Sequence, residues 1–147
     1  MGFLDSLDIG ASALTAQRLR MDIIAQNIAN VNTTRTENGT PYKRKTVVFE
    51  ERNSKESFSS LLSSGNQGNL TGKGVKVSGI VEDNSPFKRV YEPGHPDANE
   101  EGYVLMPNVD IVTEMVNMIS ASRVYEANVT SINTAKSMAL KALEIGR

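Results

Sequence analysis

Both ends of the chain show the hydrophobic spacing of a long α-helix, and this pattern constrains the fold more than any other feature. At the amino end, apolar residues recur between Leu7 and Val31 in a heptad-like pattern. A similar pattern extends from Asp110 to Ile145 at the carboxyl end. Helices of these lengths would measure about 38 Å and about 54 Å at 1.5 Å per residue. The sequence therefore predicts two long terminal helices.

The second helix has a clear start signal. Pro107 ends the segment before it, and the side chain of Asn108 or Asp110 can accept hydrogen bonds from the first turn. Glu114 adds a favourable negative charge near the amino end of this helix. In the first helix, Gly10 and the small residues around it permit close approach of another helix, although glycine weakens a helix.

Three asparagines, Asn27, Asn30 and Asn32, lie where the first pattern ends. Asparagine side chains compete with the backbone for hydrogen bonds, so they are common at helix ends. A simple C-terminal cap and turn is one explanation for them. The other is that these amides lie at a crowded junction between subunits and bond a packed neighbour. In that case, replacing Asn27 or Asn30 with alanine harms assembly more than it harms the helix.

The middle of the chain contains shorter patterns. Short strands are predicted at residues 46–51, 74–83, 87–92 and 102–106, with a hairpin joining the last two. Residues 53–72 are rich in serine, glycine and asparagine, which predicts a flexible loop.

These elements predict a fold that is mainly α with a small β region. We expect the two terminal helices to form an α-helical, coiled-coil-like hairpin that serves as an assembly domain, with a loop and short strands inserted between them. The expected boundaries are residues 1–36 for the amino-terminal helix of this core, 37–106 for the insertion and 107–147 for the carboxyl-terminal helix.

The composition argues against several classes of function. The formal net charge is -1, with 16 basic and 17 acidic residues, so the chain lacks the strong positive field that holds nucleic acid. The absence of cysteine excludes disulfides, thiolate metal sites and thiol catalysis. The amino end lacks the pattern of a cleaved signal peptide, and no apolar run is long enough to predict a membrane span.

The single histidine, His95, lies near several carboxylates, including Asp97 and Glu100. Such a group can form a metal site or an acid–base pair. However, no second histidine is available for a zinc site, and the flanking prolines and glycine favour a polar turn. We therefore predict no catalytic residue, no metal site and no cofactor. The alternative is a hydrolase or metal enzyme built around His95 and Asp97.

Two helices with apolar residues on more than one face cannot bury them all in a monomer, because each helix of a pair covers one stripe of the other. We expect the remaining surface to contact other subunits, and the helix ends to become ordered on assembly. The candidate assembly residues are apolar and amide positions along both helices: Leu7, Leu14, Met21, Ile24, Asn27, Ile28, Asn30, Val31, Asn32, Ile111, Met115, Met118, Ile119, Tyr125, Val129, Ile132 and Leu143.

Two long blocks resemble a known family. The sequence LRMDIIAQNIANVNTTRT at residues 19–36 resembles the amino-terminal signature of bacterial flagellar rod and hook proteins. Residues 90–147 closely resemble the proximal rod member of that family, whereas residues 37–89 are weakly matched. The resemblance implies a structural subunit of the flagellar basal body, without enzymatic activity or cofactor.

The resemblance also implies a location and partners. Family members are exported by the flagellar type III apparatus without signal cleavage and form the rod that crosses the periplasm. Their expected partners are copies of the same chain, other rod proteins, the rod-base adaptor and the inner-membrane ring, with no nucleic acid and no small-molecule substrate. The alternative is a secreted needle-like subunit or a cytosolic helical adaptor of a related export machine.

Overall fold

The computed structural model describes residues 3–52 and 74–145. Two helices enclose four strands along the chain: α1 at Phe3–Ala29, β1 at Lys45–Glu51, β2 at Val75–Glu82, β3 at Lys88–Tyr91, β4 at Tyr103–Met106 and α2 at Ile111–Ile145. This confirms the prediction of a mainly helical fold with a small β region. The flexible loop predicted at residues 53–72 lies outside the described residues. None of the helices described is long and apolar enough to cross a lipid bilayer.

The helix bounds differ slightly from those predicted. The first helix begins at Phe3, earlier than Leu7, and ends at Ala29, because the chain turns there. Asp110 is the cap of α2: its Oδ2 accepts the backbone N–H of Thr113 at 3.1 Å and the Thr113 hydroxyl at 2.6 Å. The other cap candidate, Asn108, bonds elsewhere.

The strands form two separate antiparallel pairs. β1 pairs with β2 from Lys45↔Glu82 to Glu51↔Val75, with a bulge between Val48 and Phe49. β3 pairs with β4, which confirms the predicted hairpin. Gly102 immediately precedes β4 at a φ of 79° and leaves no room for a side chain beside the ring of Tyr91.

The core lies where α1 meets both α2 and the first strand pair. Its buried apolar residues in these elements are Ala16, Ile23 and Ile24 of α1, Val47 of β1 and Ala121 of α2. The predicted row of Leu7, Leu14, Met21 and Ile28 is only half-buried. The sheet covers one side of α1, so the most buried face turns toward Ala16 and Ile23, and helical spacing alone cannot show this.

The two helices lie side by side in opposite directions. Asn27, near the end of α1, bonds Glu114 near the start of α2, whereas Gly10, near the start of α1, faces Ile132. A Cβ atom on Gly10 would lie 2.8 Å from Cγ1 of Ile132, so the absence of a side chain lets the helices approach closely here. The prediction that Gly10 permits close helix approach is confirmed, for a helix of the same chain.

Candidate assembly surface and the polar junction behind it

The side chain of Asn27 joins α1 to the first strand and is only 1% exposed. Its Nδ2 donates to the carbonyl oxygen of Lys45 at 2.8 Å, and its Oδ1 accepts the backbone N–H of Lys45 at 3.0 Å. These two bonds are those that a neighbouring strand would make with the edge of β1. The carboxamide of Asn27 therefore takes the place of a strand residue at that edge.

Glu114 extends this network into α2 and is likewise 1% exposed. Its Oε2 accepts from Nδ2 of Asn27 at 2.9 Å, and its Oε1 accepts from Nε and Nη2 of Arg44 at 2.9 and 2.8 Å. A buried carboxylate is stable only when a cation and hydrogen bonds compensate for its lost hydration. Arg44 supplies the cation, so the contact joins α2 to the segment that leads into β1.

Two further side chains complete the network. The hydroxyl of Tyr42 donates to Oδ1 of Asn27 at 3.0 Å. Asn108 accepts the backbone N–H of Arg44 at 2.8 Å and donates to the carbonyl oxygen of Asp83 at 2.9 Å, which fixes the end of the β1–β2 pair. We name this group the polar junction; it comprises Asn27, Tyr42, Arg44, Asn108 and Glu114.

Three titratable groups at or beside the polar junction have shifted pKa values, namely Tyr42, Asp83 and Asp110. Hydrogen bonds from the hydroxyl and the backbone N–H of Ser85 lower the pKa of Asp83. Burial raises the pKa of Tyr42, and the negative charges of Glu114 and Glu82 raise it further. The hydroxyl therefore stays protonated and remains a donor at neutral pH. Hydrogen bonds from the hydroxyl and the backbone of Thr113 lower the pKa of Asp110, so this cap is ionised and complements the dipole of α2.

The face of α2 that points away from α1 carries an exposed apolar stripe. By helical periodicity, Val112, Val116 and Ile119 lie opposite the face that carries Glu114, and Met115 lies beside them. The exposed fractions of Val112, Val116, Ile119 and Met115 are 68%, 61%, 56% and 52%. Clustered exposed apolar residues mark interaction surfaces more often than isolated ones do. We name these four residues the outer stripe.

The outer stripe covers only the first part of α2. Farther along the helix, the same face is occupied by the exposed residues Arg123, Glu126 and Thr130. A second exposed apolar region follows toward the end of α2, where Leu143 is 72% exposed and Ile145 is 85% exposed. The expectation that the helices leave apolar surface uncovered in a single chain is thus confirmed for the described residues.

The predicted assembly residues fall into three environments. Exposed residues are Asn32, Ile111, Met115, Ile119 and Leu143. Half-buried residues are Leu7, Leu14, Met21, Ile28, Asn30, Val31, Met118, Tyr125, Val129 and Ile132. Ile24 and Asn27 are buried within the chain, with exposed fractions of 5% and 1%. The role of the exposed and half-buried residues in assembly stays a prediction.

Ile24 and Asn27 are packed within their own chain, and their role in assembly stays a prediction. Both face the interior of their own chain, and the polar atoms of Asn27 bond Tyr42, Lys45 and Glu114. A returning strand, which no helix pattern predicts, covers most of both residues.

Asn30 and Asn32 differ from Asn27. Nδ2 of Asn30 donates to the carbonyl oxygen of Gln26 at 2.9 Å, and its Oδ1 accepts the Thr33 hydroxyl at 3.1 Å. This local bonding is what the cap-and-turn explanation predicts for Asn30, and a role of Asn30 in assembly stays a prediction. Asn32 is exposed in the turn that follows.

Sequence reasoning missed the central role of Glu114 and the most exposed part of the outer stripe. Glu114 was assigned only a favourable charge near the helix start, yet it is buried and bonded to Arg44. The signal was present, because Glu114 precedes Ala121 by seven residues on the inward face of α2. Val112 and Val116 belong to a second apolar row whose spacing is equally visible.

His95 lies in a turn, as predicted. Its Nδ1 accepts the backbone N–H of Asp97 at 3.1 Å, and its own backbone N–H donates to the carbonyl oxygen of Glu92 at 3.1 Å. Within residues 3–52 and 74–145, no three side chains of the types that ligate metals come together to hold an ion.

Comparison with known proteins identifies the family. Residues 7–35 match the family described as flagella basal body rod protein, and residues 100–145 match the one described as flagellar basal body rod FlgEFG protein C-terminal. The chain is 54% identical to the flagellar basal-body rod protein FlgC of Bacillus subtilis, over 97% of each chain. It is 47% identical to FlgC of Borreliella burgdorferi, over 99% of this chain and 98% of the relative, and 46% identical to FlgC of Salmonella typhimurium, over all of both chains. The chain therefore belongs to the FlgC family of flagellar basal-body rod proteins and is a structural subunit of the rod.

Proposed function

We propose that this rod subunit polymerises through its two terminal helices into the helical shaft that transmits torque for motility. In this proposal the helix pair is the assembly domain, with coiled-coil-like packing between α1 and α2. The subunit is exported by the type III apparatus without a cleaved signal and takes its place in the rod that crosses the periplasm. Its neighbours there are copies of itself, other rod proteins, the rod-base adaptor and the inner-membrane ring.

The outer stripe is the observation that supports this proposal most directly. Burying one such side chain contributes about 1.5–3 kcal/mol, so four of them supply a substantial part of a subunit contact. The stripe faces away from α1, so a neighbouring helix can pack on it without disturbing the fold of the subunit. A stiff shaft is then the sum of many such contacts, each of them small.

The polar junction supports a mechanical role. It bonds the start of α2, next to the outer stripe, to α1 and to β1 through Asn27 and Glu114. A load applied to the stripe therefore passes into the whole subunit, because charge-assisted hydrogen bonds hold a defined geometry. A structural role of this kind requires neither enzymatic activity nor a cofactor, and we propose that the protein has neither.

The relatives favour the rod over the alternative of a secreted needle-like subunit or cytosolic adaptor. They carry the name of a basal-body rod protein and match the chain from end to end. The rod is therefore the assembly that we propose.

The proposal is tested by placing charge on the outer stripe. We expect the double variant Val116→Asp, Ile119→Asp to be secreted normally, to be absent from isolated basal bodies and to abolish swimming. Because both side chains are exposed, its free energy of unfolding should stay within about 0.5 kcal/mol of the parent chain. Immunoblots of purified basal bodies, swimming assays and thermal unfolding give the three measurements.

Thr130→Asp is the matched control, because Thr130 is exposed on the same face of α2 beyond the stripe. This variant should enter basal bodies and support swimming. Normal assembly of the double variant would show that the outer stripe is not a subunit contact.

A further inference from the structure

A second surface feature lies on the side of the helix pair next to β1. It is a groove of about 270 Å³ between α1, β1 and the start of α2. Its apolar lining includes Ile23, Val47 and Phe49. Arg20 and Lys45 also line it, so the groove combines an apolar floor with nearby positive charge.

The positive charge in this groove is not neutralised by the described part of the chain. The carboxylate on its wall, Glu114, is already bonded to Arg44 and Asn27. Arg20 is half-buried, and within residues 3–52 and 74–145 it has no hydrogen bond or ion pair. A half-buried arginine that has no acceptor among the described residues favours an anionic partner, because burial removes part of the hydration of its donors.

Lys45 adds a second cation to the same groove. Its Nζ lies 5.8 Å from the centre of the Tyr42 ring, and in the described ranges no carboxylate lies within 4.0 Å of it. The two cations therefore present an excess of positive charge beside an apolar floor. A complementary partner carries carboxylates on a small, partly apolar segment.

The chain itself carries a segment of this chemistry. The tip of the β3–β4 hairpin, residues 92–102, contains four carboxylates and no lysine or arginine. Glu100 and Glu101 are exposed, and neither forms an ion pair with any residue that the structure describes. The tip is also held in place, because Asp97 accepts the Thr34 hydroxyl at 2.7 Å and Asn99 accepts the backbone N–H of Tyr103 at 2.8 Å.

We propose that the groove receives the hairpin tip of a neighbouring copy, with Glu100 and Glu101 of that copy facing Arg20 and Lys45. The inference rests on the proposed function, because two copies have to lie side by side in the rod. The groove and the tip are different surfaces, so each copy offers both and the contact repeats from one copy to the next. Such a heterologous contact is the type that builds helical arrays.

Engineered cysteines test this contact in the assembled rod. Because the chain has no native cysteine, a disulfide between two copies can form only through the engineered positions. Cells that make both a Thr46→Cys chain and a Glu100→Cys chain should yield a disulfide-linked dimer in isolated basal bodies under mild oxidation. The pair Arg20→Cys and Glu101→Cys should do the same. The control combines Glu100→Cys with Thr130→Cys, which is exposed on α2 away from the groove, and should give no dimer.

Charge reversal gives an independent readout. Two double variants are compared: one carries Arg20→Glu and Lys45→Glu, and the other carries Glu100→Lys and Glu101→Lys. Each should reduce incorporation into basal bodies by about tenfold, since exposed ion pairs contribute up to about 1 kcal/mol each. Incorporation of the chain with all four changes should recover to within about twofold of the parent chain, because the groove is then negative and the hairpin tip positive, so the two surfaces attract again. Arg123→Glu, Lys136→Glu is the matched control on α2 and should not reduce incorporation. Thermal unfolding checks that each variant is folded, and the neutral Arg20→Gln replaces the reversal if that variant is not.

The outcomes separate the two proposals. Basal bodies that contain both cysteine chains without a dimer, or a fourfold variant no better than its parents, would overturn the hairpin–groove contact and leave rod membership intact. Failure to find the unmodified chain in basal bodies would instead contradict the proposed function.

Discussion

Asn27 shows how one side chain can connect three elements. Its carboxamide bonds the backbone of Lys45 like a strand residue, and the same atoms bond Tyr42 and Glu114. Because Asn27 is 1% exposed, its polar atoms depend on these bonds in place of water. A single amide thus fixes the position of α1 relative to both β1 and α2.

At this scale we predict that Asn27→Ala lowers the free energy of unfolding by about 3 kcal/mol, because it leaves buried donors and acceptors without partners. Chemical denaturation of the purified full-length chain measures the change. Loss of assembly would then follow from loss of the fold.

Asn32→Ala provides the comparison, because Asn32 is exposed in the same stretch. Its effect should stay within about 0.5 kcal/mol. Equal effects of the two variants would contradict the proposed role of Asn27.

At the scale of whole elements, the two helices approach closely where a small residue of α1 faces a larger apolar residue of α2. Gly10 leaves room for Ile132 on α2, and Ala16 and Ala121 are buried with exposed fractions of 2% and 0%. Small residues at the contact bring the helix axes close, and larger apolar residues such as Val116 lie on the outer face instead. The same helix can therefore serve the core on one side and an interface on the other.

For this contact we predict that Gly10→Leu destabilises the chain by about 1–3 kcal/mol, because the added side chain overlaps Ile132. The double variant Gly10→Leu, Ile132→Ala should recover part of that loss by making room. Thermal unfolding of both variants and of Ile132→Ala alone completes a double-mutant cycle. Additive losses would show that the two positions are not in contact.

At the scale of the whole molecule, the most buried helix residues among those described cluster at one end of the helix pair. Ile23, Ile24, Asn27 and Glu114 are buried there, whereas the end of α2 is exposed at Leu143 and Ile145. Stability within a protein varies with such local burial, and weakly packed helix ends open most easily. This distribution agrees with the expectation that the helix ends become ordered on assembly.

We predict that amide hydrogen exchange in the purified chain is slow near residues 20–29 and 111–121 and fast near residues 136–145. Circular dichroism should show fewer helical residues than the 27 of α1 and 35 of α2 together, with sedimentation confirming a monomer. Uniform protection along both helices would show that the free chain is already fully ordered.

The local sequence was sufficient for the elements but not for their partners. Helical spacing predicted both long helices, and short strand-like runs, one of them alternating, predicted the strands within two residues of their ends. Asn27 resembled any asparagine at a helix end, since nothing local shows that Lys45 returns beside it. The spacing of Glu114 to Ala121 indicated an inward position, but local sequence could not show its partner Arg44, which is distant in the chain.

The sequence by itself determined the two terminal helices, the small strands between them and the excess of apolar helix surface, because these depend on periodicity within each segment. Its two long blocks also identified the flagellar rod family. Only the tertiary structure decided which face of α1 is buried, that Asn27 bonds its own chain, and that the outer stripe of α2 remains free. These depend on how the first strand pair packs against the helices, and such long-range contacts leave no local pattern in the sequence.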